Sequence, residues 1–377
     1  MKALIVGGGI MGLATAWAMA REGHEVELFE QGPLPNPLAS SVDQHRLIRH
    51  PYGPHLGYAR MIDDAYAAWD LMWTDLGRKF YAPTGTLALS GDGTEWASRS
   101  AENLAAIGRP MTELTIAELV ARFPMLDAGG VERAFYIDTG GELFAQDIAE
   151  ALARHLEGKP KVRLHAGALI RSVDLDKAQV TTSVGEVHGG DVVVVAAGAR
   201  LTRLLPDLGK RVVPSRQVVV YFDLPPDLHA VWAKAPMIIE KTDDVGLYLV
   251  PPAGGRGMKV GDHEFSRRGD PDGSRFATVE EMRPLLDRCR RLVRDFDRWR
   301  VDRLKVCFYT VADDERFIVE KHGAAGWAMS VCSGHGFKFG ALMGLELAKT
   351  IASGRDPAGH AKWAAGFVGN GTSDSGG

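Results

Sequence analysis

Cysteine is scarce: Cys289, Cys307 and Cys332 are the three in 377 residues. An odd, sparse set excludes a disulfide framework and offers no metal-ligand spacing, so reduced thiols and a cytoplasmic setting are expected. No apolar run approaches the roughly 20 residues that cross a bilayer, which excludes a membrane-spanning helix. One lysine precedes the first apolar strand, so no signal peptide is expected. Charge of one sign is also lacking. The formal net charge of −4 speaks against a nucleic-acid partner, which calls for a basic face. Asn370-Gly371-Thr372 matches a glycosylation pattern that a cytoplasmic chain would not use. The Gly/Ser-rich tail, residues 369–377, is expected to be disordered.

Glycine, by contrast, is plentiful, with 44 residues, and the first of them carry chemistry. Ala3 to Val6 form a short apolar β run. Gly7-Gly8-Gly9-Ile10-Met11-Gly12 then passes into a helical pattern through Leu13, Ala16 and Met19. A second β run, Glu25 to Phe29, ends on Glu30. Strand, glycine turn, helix and terminal acid together form the unit that holds an ADP moiety. Gly7 suits the tight turn, Gly9 a close approach of backbone to pyrophosphate, and Gly12 close packing of helix on sheet. The helix N-terminus offers N–H groups and a partial positive charge to the phosphates. Glu30 suits ribose hydroxyls. The chain exceeds the ~250–300 residues at which single cores stop growing, so two connected domains are expected.

Downstream, Arg46 and Arg49 would share one face if they lie on a helical turn. Their guanidinium forks suit a carboxylate or phosphate, and the same pair also suits a solvated basic turn. Residues 58–80 read as a helix with an aromatic core stripe, 81–90 as one strand, and the stretch to Phe123 as polar helices. Ala145 to Leu156 reads as a helix, and Asp191 to Gly198 as a strand buried on both faces. Arg211 to Asp223 and Gly246 to Pro251 read as strands of a second, more antiparallel sheet. Lys259, in the glycine-flanked run Met258-Lys259-Val260-Gly261, is either a cation that serves a site or an edge-strand lysine. Residues 278–296 read as a structural helix. Gly336 opens what reads as the last helix, ending near Ser353.

These pieces resemble the monomeric sarcosine oxidase branch of the FAD-dependent amino-acid oxidases, related to D-amino-acid oxidase. The resemblance runs over nearly the whole chain. It rests on Gly7-x-Gly9-x-x-Gly12 through Glu30, Arg46-Leu-Ile-Arg49-His50, Tyr248, Met258-Lys259-Val-Gly, Cys307-Phe-Tyr-Thr and Ser333-Gly334-His-Gly336-Phe337-Lys338-Phe339. It implies an α/β fold: a Rossmann-like FAD-binding domain built from separated segments (1–82, 144–210 and 312–368) and a smaller antiparallel-sheet substrate domain (83–143 and 211–311). It implies a covalent thioether from Cys307 to FAD, with Gly7, Gly9, Ile10, Met11, Gly12, Glu30, Arg46, Gly334, Gly336, Phe337 and Lys338 as cofactor contacts. Lys259 would activate oxygen, Arg49 and Lys338 would hold the substrate carboxylate, and Tyr248 and His263 would line the pocket. Val42 departs from the family, whose best-known members place a histidine there.

The implied activity is oxidation of a secondary amino acid, N-methyl or cyclic, by a monomer using O2 and releasing hydrogen peroxide. A dehydrogenase passing electrons to a quinone or carrier is the alternative on the same fold. A flavin-bearing tRNA-modification component is the alternative of another class, and it would need a basic face.

Overall fold

The apolar run at the N-terminus becomes the strand Lys2–Val6, and it lies inside a six-stranded sheet. The chain was described as a computed structural model over residues 1–91, 94–241 and 246–367. The tail expected to be disordered and the Asn370 pattern fall outside those residues. The sheet order is Ile318–His322, Gly326–Ser330, Val192–Val195, Lys2–Val6, Glu25–Glu30, Val162–Ala166. Every pairing is parallel except that of Ile318–His322 with Gly326–Ser330. Alternation sorts the core. Ala3 and Ile5 face one cluster with helices Ile10–Arg21, Ala145–Glu157 and Gly340–Ser353, while Leu4 and Val6 face another with the Ile170–Asp174, Gln179–Thr182 and Val187–Gly189 meander. Both faces being covered explains why the all-apolar Val192–Val195 run is buried throughout.

The second sheet has eight strands, ordered Arg300–Ala312, Val212–Asp223, Met258–Asp262, Leu247–Val250, Met237–Lys241, Thr86–Ser90, Arg133–Ile137, Thr112–Leu114. It is antiparallel except where Met237–Lys241 runs parallel to Thr86–Ser90. Helix Val279–Leu292 packs Leu285, Cys289 and Leu292 against it. A small three-stranded sheet, Arg46–Ile48, Gly141–Leu143, Tyr81–Pro83, pairs segments that lie far apart in sequence.

Several local readings are corrected. Arg46 and Arg49 do not sit on a helical turn, because Arg46–Ile48 is a strand. Neither belongs to a solvated turn, since both are withdrawn from water, and Arg49 has a buried Nη1. The 81–90 run is two strands in different sheets, broken at Gly85, whose φ is +74°. The 58–80 helix spans Leu56–Leu76 and stops at Gly77, φ +70°. The stretch to Phe123 contains the strand Thr112–Leu114 between its two helices. Gly336 opens a single 3-10 turn, Phe337–Phe339, and the α-helix starts at Gly340. It is not the last. Pro357–Ala364 follows, capped by Asp356 on the N–H groups of Ala358 and Gly359.

Candidate active site

One cavity of about 830 Å³ runs between the two large sheets. Its lining brings together Gly7, Gly9, Ile10, Met11 and Glu30 with Arg49, Tyr248, His263 and Lys338. Gly7 has φ +112°, and a Cβ there would sit 2.4 Å from the Ala196 carbonyl oxygen. A Cβ on Gly12 would meet the Gly7 carbonyl at 1.8 Å, so this turn tolerates only glycine. The first helical N–H, that of Ile10, donates to Ser41 Oγ at 2.9 Å rather than standing unpaired as expected. Glu30 is buried and accepts from the Gly8 N–H (2.8 Å) and from Asn36 Nδ2 (2.9 Å). Those bonds fix the carboxylate at the tip of its strand and leave lone pairs for hydroxyl donors.

Deeper in, four elements bring charges onto one carboxylate that sequence reasoning passed over. Asp43 is buried, and Lys259 Nζ donates to its Oδ2 at 2.6 Å. Arg46 and the Tyr221 hydroxyl also donate to it, and Lys305 Nζ lies 3.9 Å away. Burial alone would raise this carboxyl, but Lys259, Arg46 and Lys305 hold it well below the usual range. Conversely, burial pulls the Lys259 ammonium down to about 8 against the pull of Asp43. Lys259 belongs to a central strand, paired on both sides, so the edge-strand reading fails. The sequence signal for Asp43 was an acid three residues before Arg46 with a strand lysine in need of a counter-ion. Glu142 stands nearby, fully buried, with neither carboxylate oxygen hydrogen-bonded. Its burial pushes it up to about 8, opposed by Lys259 and Arg256.

Arg49 and Lys338 form the opposite case. Lys338 Nζ donates to Tyr52 Oη (3.0 Å) and to the His335 carbonyl (2.8 Å). The Arg49 guanidinium lies 4.8 Å from the Tyr52 ring centre and 5.9 Å from that of Trp96. Among the described residues neither cation has a carboxylate partner, and burial together with Arg49 depresses Lys338 well below the usual lysine range. The turn that presents Lys338 is sterically determined. Gly334 has φ +73°, and a Cβ on Gly336 would sit 2.1 Å from the Val331 carbonyl. Tyr248 lies against Gly261, and His263 Nε2 is 3.3 Å from Glu315 Oε2.

Among the described residues, three buried atoms of cavity-lining residues lack any partner: His45 Nδ1, Arg49 Nη1 and Thr310 Oγ1. Buried polar groups are ordinarily satisfied, so orphans along one cavity fit a polar ligand. Cys307 needs a finer statement. It is 3 % exposed, and Phe308, Tyr309, Thr310 and Cys332 line the cavity beside it, while Cys307 is not among the lining residues. Both thiols are free, and burial raises each.

Comparison with known proteins gives the family. The profile of the FAD dependent oxidoreductase family (DAO) matches residues 2–350. The chain belongs to that family. It is therefore an FAD-dependent oxidoreductase. Strands from residues 2–30, 162–195 and 318–330 share one sheet. The chain is similar to monomeric sarcosine oxidase of Bacillus sp. (strain B-0618), 26% identical over 368 residues, covering 93% of this chain and 92% of the other. In fold it resembles the modified fructosyl peptide oxidase of Aspergillus nidulans, with TM-score 0.83, 20% identity and 98% and 94% coverage. It also resembles L-proline dehydrogenase of P. horikoshii, with TM-score 0.81, 19% identity and 97% and 96% coverage. Within the described residues, no helix is long and apolar enough to cross a membrane.

Proposed function

We propose that this FAD oxidoreductase is an oxidase of a secondary amino acid, N-methylated or cyclic. It removes hydride from the carbon beside the amine, and the resulting imine hydrolyses; O2 takes the electrons and leaves as hydrogen peroxide. FAD, when bound, supplies the hydride acceptor and then the reductant for oxygen. The observation that carries the reading is the buried, anion-free pair of cations, Arg49 and Lys338, in the wall of the cavity. Desolvated cations without a counter-ion are costly unless a ligand brings the anion. An amino-acid carboxylate does so, and the guanidinium fork and ammonium then orient the substrate's C–H bond. Tyr248 and His263 line the same chamber, and Tyr52 and Trp96 give it an aromatic side. Lys259, held charged by Asp43, is assigned to favour the anion formed when oxygen accepts an electron.

Flavin attachment is assigned to Cys307 on its position in Cys307-Phe-Tyr-Thr. Cys332, which lines the cavity, provides the control. Acid precipitation of the purified protein is expected to leave the yellow colour in the pellet. Cys307→Ala should release it and Cys332→Ala should not. Colour lost from the parent, or lost only from Cys332→Ala, overturns the assignment. The activity itself is tested by a peroxide-coupled screen of N-methyl and cyclic amino acids beside the matching amines without a carboxylate. Amines turning over equally well would sink the clamp. Reduction by substrate without reaction of the reduced protein with oxygen would assign a dehydrogenase instead.

A further inference from the structure

Away from the carboxylate clamp, three residues remote in sequence converge on one oxygen. Glu27 is 2 % exposed, on the strand Glu25–Glu30. Its Oε2 lies 3.1 Å from His165 Nε2 and 2.9 Å from His188 Nδ1. The three candidate donor atoms all fall within 4.8 Å of one another. Phe29, two residues along the same face, holds both rings. His165 stacks on it at 4.5 Å with a 5° interplanar angle, and His188 meets it edge-on at 4.8 Å. The other nitrogen of His188, Nε2, faces Glu186 Oε2 at 3.9 Å. The imidazoles keep 30% and 21% of their side-chain surface exposed, which leaves an entry path from solvent.

We propose that Glu27, His165 and His188 form a divalent transition-metal site, taking zinc in preference to magnesium or calcium. Two imidazole nitrogens and one carboxylate oxygen suit that class, with water in the fourth tetrahedral position. Tetrahedral zinc separates neighbouring ligand atoms by roughly 3.3–3.5 Å. The two Glu27–His distances of 3.1 and 2.9 Å need to open by a few tenths of an ångström, and the two imidazole nitrogens lie within 4.8 Å of each other. Binding needs the lone pair of His188 Nδ1. Its proton then resides on Nε2, whose nearest carboxylate, that of the exposed Glu186, stands 3.9 Å away, beyond hydrogen-bond reach. Lys2 Nζ at 2.7 Å and Arg163 at 3.5 Å sit on the other oxygen, Oε1. They keep Glu27 ionised and leave Oε2 to the ion, and their charge sets an upper bound on its affinity. Such an ion would tie together the strand carrying Glu30, the neighbouring Val162–Ala166 strand and the meander. None of this spacing is visible in the sequence, since the ligands stand at 27, 165 and 188.

The test is a zinc titration of the chelator-treated, FAD-bound protein by calorimetry, paired with thermal melting. One zinc per chain at micromolar affinity or tighter, with a raised melting temperature, is expected. Magnesium and calcium should do neither. His165→Phe, which keeps the stack on Phe29, combined with His188→Gln should weaken zinc roughly 100-fold or more. The flavin spectrum reports whether that variant has folded. Should it fail to fold, cobalt added to the unmutated protein decides: intense tetrahedral bands support the site, and the weak spectrum of hydrated cobalt overturns it. Millimolar zinc binding, or unchanged binding in a folded double variant, also overturns the proposal and leaves the three groups as a hydrogen-bond network.

Discussion

Two buried cation pairs serve one cavity, and they differ in where their negative charge comes from. Lys259 and Arg46 share Asp43, a carboxylate of the chain itself. Arg49 and Lys338 share none among the described residues. The first pair is therefore a finished piece of structure, whose charge is set before any ligand arrives. In the function proposed above, a ligand finishes the second. Low local dielectric magnifies both cases, stabilising the paired charges and penalising the unpaired ones. In that proposed function, the first pair supplies a static field beside the cofactor and the second a selective hold on substrate, and supplying or withholding one carboxylate separates those tasks.

Asp43→Asn attacks the finished pair most directly. It keeps the shape, removes the anion, and strands Lys259 and Arg46 as buried charges. Loss of roughly 3–5 kcal/mol of folding stability is expected, read by denaturant unfolding. A loss below about 1 kcal/mol would show that the two pairs do not differ in kind. Next comes Arg49→Ala, which should leave stability nearly unchanged or improved while weakening amino-acid binding by roughly 2–5 kcal/mol. Anaerobic titration of substrate measures it, and an unaltered dissociation constant would remove Arg49 from the clamp.

Lys259→Met asks whether the finished pair acts on oxygen. Reoxidation of the reduced protein should slow on the order of 100-fold, about 3 kcal/mol, with a much smaller change in anaerobic reduction. Because burial holds Lys259 at about 8, the parent's reoxidation should fall as pH rises through that value. The variant should lose this dependence. Stopped-flow traces of both half-reactions across pH decide the matter, and equal reoxidation rates would assign the lysine a structural role only.

A further effect concerns Glu142, whose carboxylate oxygens have no hydrogen-bond partner among the described residues. Its folded carboxyl titrates at about 8, above the ordinary 4.5. The folded state thus keeps a proton that the unfolded chain has already lost, and stability declines as pH rises from about 4.5 through 8. Glu142→Gln removes that slope. It should be roughly 3–4 kcal/mol more stable relative to the parent at pH 8 than at pH 5. Parallel melting curves at the two pH values would show that Glu142 is ionised in the fold.

What the sequence determined by itself was local and repetitive. The Gly7-to-Glu30 unit, the buried Val192–Val195 strand, and the helices Ala145–Glu157 and Val279–Leu292 follow from steric need and hydrophobic period, which act over a few residues. The residues proposed for the carboxylate clamp, Arg49 and Lys338, each sit in a motif of their own. Their partnerships were not legible. Asp43 reads as a loop acid until Met258–Asp262 becomes a central strand and turns Lys259 toward it. Arg46 and Arg49 read as one face of a helix until pairing with Gly141–Leu143 makes the segment a strand. Glu142 and the Glu27, His165 and His188 cluster carry no sequence signal, since their meaning lies in desolvation and in contacts across 138 or more positions. Tertiary structure decided which buried charges were paired, because Coulomb energy depends on distance through space and on exclusion of water, and neither is encoded in spacing along the chain.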